Sequence, residues 1–232
     1  MRVAKIRLAP ILGVVIAAAL CTGAWPALAG EPAQVAKKKK LTCKRLKKSK
    51  DLAPARKVRL VRRRNRDGGT DLLGCVLPKG TVRLVASSAN QTTREGYSLR
   101  QVAGAVVLID ASSGNQYATS RGTSVFNIRT GKSYSVARSC FGSPCSSTGV
   151  TAASAFVNKL GQATAALASQ DEAPPWVMAP QHVTISGFSA SGRRTVLDAG
   201  PAADIPASSL RLVGSTVTWT HSGQQRTAQL SG

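Results

Sequence analysis

The stretch VFNIRTGKSYSV, Val125–Val136, places two β-prone runs on either side of a turn that contains Gly131. Alternate side chains of an extended chain leave opposite faces, so runs of this kind suit a half-buried sheet. A glycine at the junction supplies the positive φ that a tight hairpin turn needs. The same unit recurs as CVLPKGTVRLV (75–85), VVLIDASSGNQYATS (106–120), AFVNKLGQATAAL (155–167), VTISGFSASGRRTVL (183–197) and VTWTHSGQQRTAQL (217–230). Their turn glycines are Gly80, Gly114, Gly161, Gly192 and Gly223. Six such units predict an all-β fold built as an antiparallel hairpin meander.

From Gly131 onward the turn glycines fall 30, 31 and 31 residues apart. Regular recurrence of small meanders suggests sheets set radially or stacked. Upstream, KVRLVRRR (57–64) alternates apolar and basic residues and reads as a further strand. TAASAFVNKLGQATAALASQ (151–170) is alanine-rich and suits a helix broken at Gly161, but its NKLGQ turn favours the hairpin. QDEAPPW (170–176) reads as a loop, because Pro174 and Pro175 cannot join regular pairing.

Two segments, QVAGAVVLID with SVFNIRTGKSYSVA, and SLRLVGSTVTWTHSGQQRTAQL, resemble blade halves of propeller-type repeat proteins. LDAGPAADIPASSLRLVGSTVTWTHSG is similar to closing segments of uncharacterised secreted actinobacterial proteins. The resemblance covers roughly residues 56–232 and implies a small or incomplete β-propeller-like fold of at most about four blades. A β-sandwich with similar hairpins is the alternative. The resemblance speaks to fold more than to function, since propellers serve enzymes, binders and scaffolds alike.

The N-terminus carries MRVAKIR, then the uncharged LAPILGVVIAAALCTGAW, then the small residues of ALA. This is the pattern of a signal peptide spanning residues 1–29, with cleavage expected before Gly30. A retained membrane anchor through residues 8–25 is the alternative. Cleavage removes three of the 32 Lys and Arg and leaves 29 against 10 Asp and Glu. Sixteen of those 29 lie between Lys37 and Arg66, where Asp51 is the sole acid. Residues 30–55 therefore read as a flexible basic arm, and residues 56–232 as the folded domain.

Charge is the main functional signal. Lys37, Lys38, Lys39, Lys40, Lys44, Arg45, Lys47, Lys48 and Lys50 form a run that should bind polyanions through counterion release. An exported arm meets anionic cell-wall polymer or an acidic lipid surface first, and these are the expected partners. Sequence-specific nucleic-acid reading is not expected, because the arm offers no aromatic side chain on which bases stack. Four cysteines remain after cleavage, and an even count in an exported chain suggests disulfides with three possible connectivities. Turn residues in CFGSPC favour Cys140 with Cys145, which leaves Cys43 for Cys75. A free or intermolecular Cys43 is the alternative.

Catalytic signals are sparse. The histidines are His182 and His221, and no G-x-S-x-G elbow is present. GFSASG around Ser189 lacks the last glycine that motif requires. His221 precedes a turn and reads as exposed. Asp67, Asp71, Asp110, Asp198 and Asp204 read as turn residues, and Asp171 and Glu172 are adjacent in a loop. No metal, cofactor or catalytic residue is expected, and a hydrolase or lyase with a dispersed site is the competing reading.

Overall fold

Val106, Val107, Leu108 and Ile109 are consecutive, and all four are buried. Because neighbours along a strand point to opposite faces, this run must be covered on both sides. Val106 and Leu108 enter one core, whereas Val107 and Ile109 enter another. Such double burial arises when one sheet lies between two others.

The computed structural model describes residues 43, 50–55, 58–77, 80–88, 96–114, 118–142, 149–169 and 182–231, all within one compact unit, Lys39–Gly232. The first sheet comprises β1 (Lys50–Ala55), β2 (Val58–Arg64), β3 (Thr70–Val76) and β4 (Arg83–Ser88). The second comprises β5 (Gly96–Ala103), β6 (Val106–Gly114), β7 (Ala118–Asn127) and β8 (Ser133–Gly142). β9 (Val150–Val157), β10 (Ala163–Ser169), β11 (His182–Phe188) and β12 (Arg194–Pro201) make the third. A short 3-10 turn at Ala207–Ser209 leads to the fourth, β13 (Arg211–Val213), β14 (Thr216–His221) and β15 (Gln224–Gln229).

Every described pairing is antiparallel and joins strands that are consecutive in the chain. The protein is thus an all-β hairpin meander, and no sheet closes on itself. Lys50–Ala55, expected as the end of the arm, instead runs along β2 as a strand. Residues 1–29, including all of the alternative anchor 8–25, lie outside the described residues, as does most of the arm. No helix among the described residues is long and apolar enough to cross a membrane.

Gly131, Gly161, Gly192 and Gly223 do occupy hairpin turns with φ of 79, 87, 88 and 77°. Their even spacing does not mark successive sheets, however. Gly161 and Gly192 both turn within the third sheet, between β9 and β10 and between β11 and β12. Gly80 does not take positive φ, whereas Gly68, Gly104 and Gly214 do, in the β2–β3, β5–β6 and β13–β14 turns.

Three cores join the sheets in series. Val58, Leu60 and Leu72 of the first sheet meet Val107 and Ile109 of the second. Val106, Leu108 and Val125 meet Ala155, Ala165 and Leu167 of the third. Val183 and Ile185 then meet Leu210, Val217 and Trp219 at the fourth. The alanine-rich segment forms the β9–β10 hairpin, in which β10 is a central strand of the sheet. Its Ala165 faces the second core and Ala166 the third, and these small side chains let both flanking sheets approach closely.

Side chains add directional ties between sheets. Tyr134 of β8 stacks on Phe188 of β11 with centroids 6.1 Å apart, and its hydroxyl donates to the Gly161 carbonyl at 2.7 Å. Burial pushes the Tyr134 phenol well above its ordinary pKa, so it stays an O–H donor. Asn158 Nδ2 donates to Gly214 O at 2.9 Å, and Gln162 Nε2 to Leu230 O at 3.2 Å, pinning the fourth sheet to the third. Tyr134→Phe keeps the stacking and loses only the hydrogen bond. It is expected to cost about 1 kcal/mol in urea denaturation.

The outermost strands of the three four-stranded sheets share one irregularity. In each of the six, a single residue bulges out of register: Leu52, Val85, Arg100, Val136, Ala153 and Leu197. An extra residue of this kind bends the strand and re-aims its side chains.

Candidate functional site

The basic segment is tied to the first sheet where its sequence becomes a strand. Cys43 and Cys75 form a disulfide with Cα atoms 6.0 Å apart, and both are buried, at 1% and 0% exposure. They cover the outer face of the sheet together with Val61 and Leu73. Arg59, opposite Cys75 in the β2–β3 register, donates from Nη1 to the Cys43 carbonyl at 3.1 Å. Cys140 also stands in a disulfide, and Cys145 lies outside the described residues.

Along β2 the apolar face ends at Val61, and Arg62, Arg63 and Arg64 follow without a fully buried residue among them. Arg62 lies over the Tyr97 ring at 5.3 Å, a cation–π contact that orients its guanidinium. Arg63 pairs with Asp71 at 4.0 Å. Asp71 also accepts from Ser87 Oγ at 2.8 Å, so the acid is already occupied. Of the expected polyanion-binding residues, Lys50 stands opposite Arg62 in the sheet register. Lys37, Lys38, Lys39, Lys40, Lys44, Arg45, Lys47 and Lys48 lie outside the described residues.

A second cluster gathers between the third and fourth sheets. Asp198 Oδ2 accepts from Trp219 Nε1 at 2.7 Å and from Arg226 Nη1 at 3.2 Å, and lies 2.8 Å from His221 Nδ1. The Ala199 amide donates to Oδ1 at 2.9 Å. Burial alone would raise the carboxyl, but the bonds from Trp219, His221 and Ala199, with the attraction of His221, outweigh it and lower its pKa. His221 is therefore not the exposed turn residue expected of it; it ends β14 and is partly buried. Asp198 and Asp110 likewise sit within β12 and β6 rather than in turns. His182 begins β11, paired with Ser169 and Pro201. No serine, threonine or cysteine among the described residues hydrogen-bonds to His221.

A cavity of about 420 Å³ opens between the second and third sheets. Two rows of side chains cross its floor. Ser112, Arg121 and Ser139 stand directly opposite one another across β6, β7 and β8, and Asp110, Thr123 and Ala137 form the next row. Val150 and Ala152 of β9 supply an apolar wall. Arg100, the bulged residue of β5, donates from Nε to Asp110 Oδ2 and from Nη2 to Ala152 O at 3.1 Å, which bridges the two sheets. Thr123 Oγ1 donates to the other carboxylate oxygen at 2.6 Å. Sequence reasoning passed over this site, because its residues come together only through strand register. No family model, no curated protein and no solved structure matches this chain.

Proposed function

We propose that this is an exported, non-catalytic module associated with the cell envelope, whose basic arm engages anionic wall polymer or acidic lipid. The Cys43–Cys75 disulfide carries this reading. It fixes the basic run at one point beside β2, where Arg62, Arg63, Arg64 and Arg66 continue the positive charge along the folded body. Lysines held near a surface of the same sign add their charge to one binding face rather than dispersing it. Each Lys or Arg near an anionic surface contributes about 1 kcal/mol, weakened by salt. The Asp198–His221 pair is the one observation towards a hydrolase or lyase. Trp219 and Arg226 share that carboxylate, and it serves best as a structural pin.

The test is binding of the full oxidised chain to phosphatidylglycerol-containing vesicles. Affinity is expected to fall by at least about tenfold between roughly 50 and 200 mM salt. Replacing Lys37, Lys38, Lys39, Lys40, Lys47 and Lys48 by Gln, which spares Cys43, should remove most of the binding. Affinity unmoved by both salt and these substitutions would rule the arm out as the binding element.

A further inference from the structure

We propose that the cavity between the second and third sheets binds a small phosphomonoester that also carries hydroxyl groups. This site goes beyond the basic arm, from which it differs in sheet, in depth and in the kind of ligand it can discriminate.

The charge on its floor is divided unevenly. Asp110 is taken up by Arg100 and Thr123, so the carboxylate and one guanidinium neutralise each other. Arg121 is exposed and forms no hydrogen bond or ion pair with the described residues. One positive charge is left facing the cavity, and it selects an anion.

Directly opposite partners on neighbouring strands hold their Cβ atoms about 5 Å apart. Arg121 therefore has a serine hydroxyl on each side, Ser112 on β6 and Ser139 on β8. A planar guanidinium fork flanked by two hydroxyls offers donors in more directions than a flat carboxylate can use. The oxygens of a tetrahedral phosphate match that spread.

Ser139 adds an independent sign that a partner is missing. It is 2% exposed, lines the cavity, and its Oγ has no hydrogen-bond partner among the described residues. Buried hydroxyls are nearly always satisfied, so an orphan at a cavity wall marks a place where a ligand atom completes the bond. Gly149 packs directly on this residue: a Cβ there would sit 2.5 Å from Ser139 Cβ, so only glycine fits beside it.

The remaining surface sets the rest of the ligand. Ala137, Val150 and Ala152 suit a short carbon chain, while Ser98 meets hydroxyls. Tyr97 borders the cavity, but its ring packs towards the first inter-sheet core, under Arg62. Among the described residues no other aromatic ring lines the cavity, so bases and other flat rings lack a face to lie on. At about 420 Å³ the volume falls within the range of small-molecule sites, about 300–1,000 Å³.

Isothermal titration of the full oxidised chain with sn-glycerol 3-phosphate tests this, with inorganic phosphate and glycerol as parallel probes. Glycerol 3-phosphate is expected to bind one site with a Kd below about 1 mM, tighter than either probe alone. Arg121→Gln should weaken it about tenfold or more, and Ser139→Ala about threefold. Arg193→Gln removes the same charge from an exposed turn and should leave binding unchanged. Equal losses from Arg121→Gln and Arg193→Gln would reduce the effect to general electrostatics and overturn the site. Absence of binding would overturn it outright, and inorganic phosphate binding as tightly as glycerol 3-phosphate would overturn its recognition of hydroxyls.

Discussion

Replacing Cys43 and Cys75 by Ser is expected to destabilise the folded body by about 3.5 kcal/mol. The bond closes a loop across a sequence separation of 32, and on the chain-entropy model a loop of that length restricts the unfolded chain by about this amount. The double substitution is preferable to reductant, because Cys140 is also disulfide-bonded and would be opened by the same treatment. The expected fall in melting temperature is about 10 °C for a chain of this size. Both sulfurs lie in the small outer core with Val61 and Leu73, so the serine hydroxyls must also be desolvated there. A loss below about 1 kcal/mol would mean that pairing of β1 with β2 already holds the segment and that the bridge adds little.

Asp198→Ala is expected to cost about 3 kcal/mol at neutral pH. The carboxylate is 8% exposed and serves Trp219, His221 and Arg226 together, so its removal strands a buried indole N–H and an imidazole. Arg226, whose side chain is 46% exposed, contributes little of this. The pH dependence has a definite sign. The folded carboxyl has a pKa below its unfolded value, so its stabilisation is complete above the unfolded value of about 4 and fades as pH falls through the folded one. Urea denaturation at pH 7 and again near pH 3 should therefore show the gap between parent and Asp198→Ala narrowing in acid. A gap of equal size at both would show that the side chain acts through packing alone.

The hairpins were legible because a strand's alternation and its turn glycine are local properties. VFNIRTGKSYSV and VTWTHSGQQRTAQL each hold both halves of a strand pair and the turn between them. Grouping of hairpins into sheets was not legible, since it depends on where a connection crosses to the next layer instead of pairing again. That is why Gly161 and Gly192, evenly spaced with the other turn glycines, belong to one sheet. The cavity was hidden for a related reason. Ser112, Arg121 and Ser139 lie nine and eighteen residues apart, and only the register of three strands sets them in a row. At Asp198 and His221 the neighbouring Gly and Ser suggested turns. The alternation of TVTWTH did contain the corrective signal, since it puts Val217, Trp219 and His221 on one face of β14.

The six bulged border strands bear on how the protein behaves when crowded. A foreign strand that adds to a sheet needs an unbroken row of free N–H and C=O groups, and a bulge interrupts that row. Leu52, Val85, Arg100, Val136, Ala153 and Leu197 break it on both sides of the first, second and third sheets. Only β13 and β15 keep continuous register, and β13 is three residues long, too short to template a partner. Self-association by strand addition is thereby confined, among the described strands, to β15.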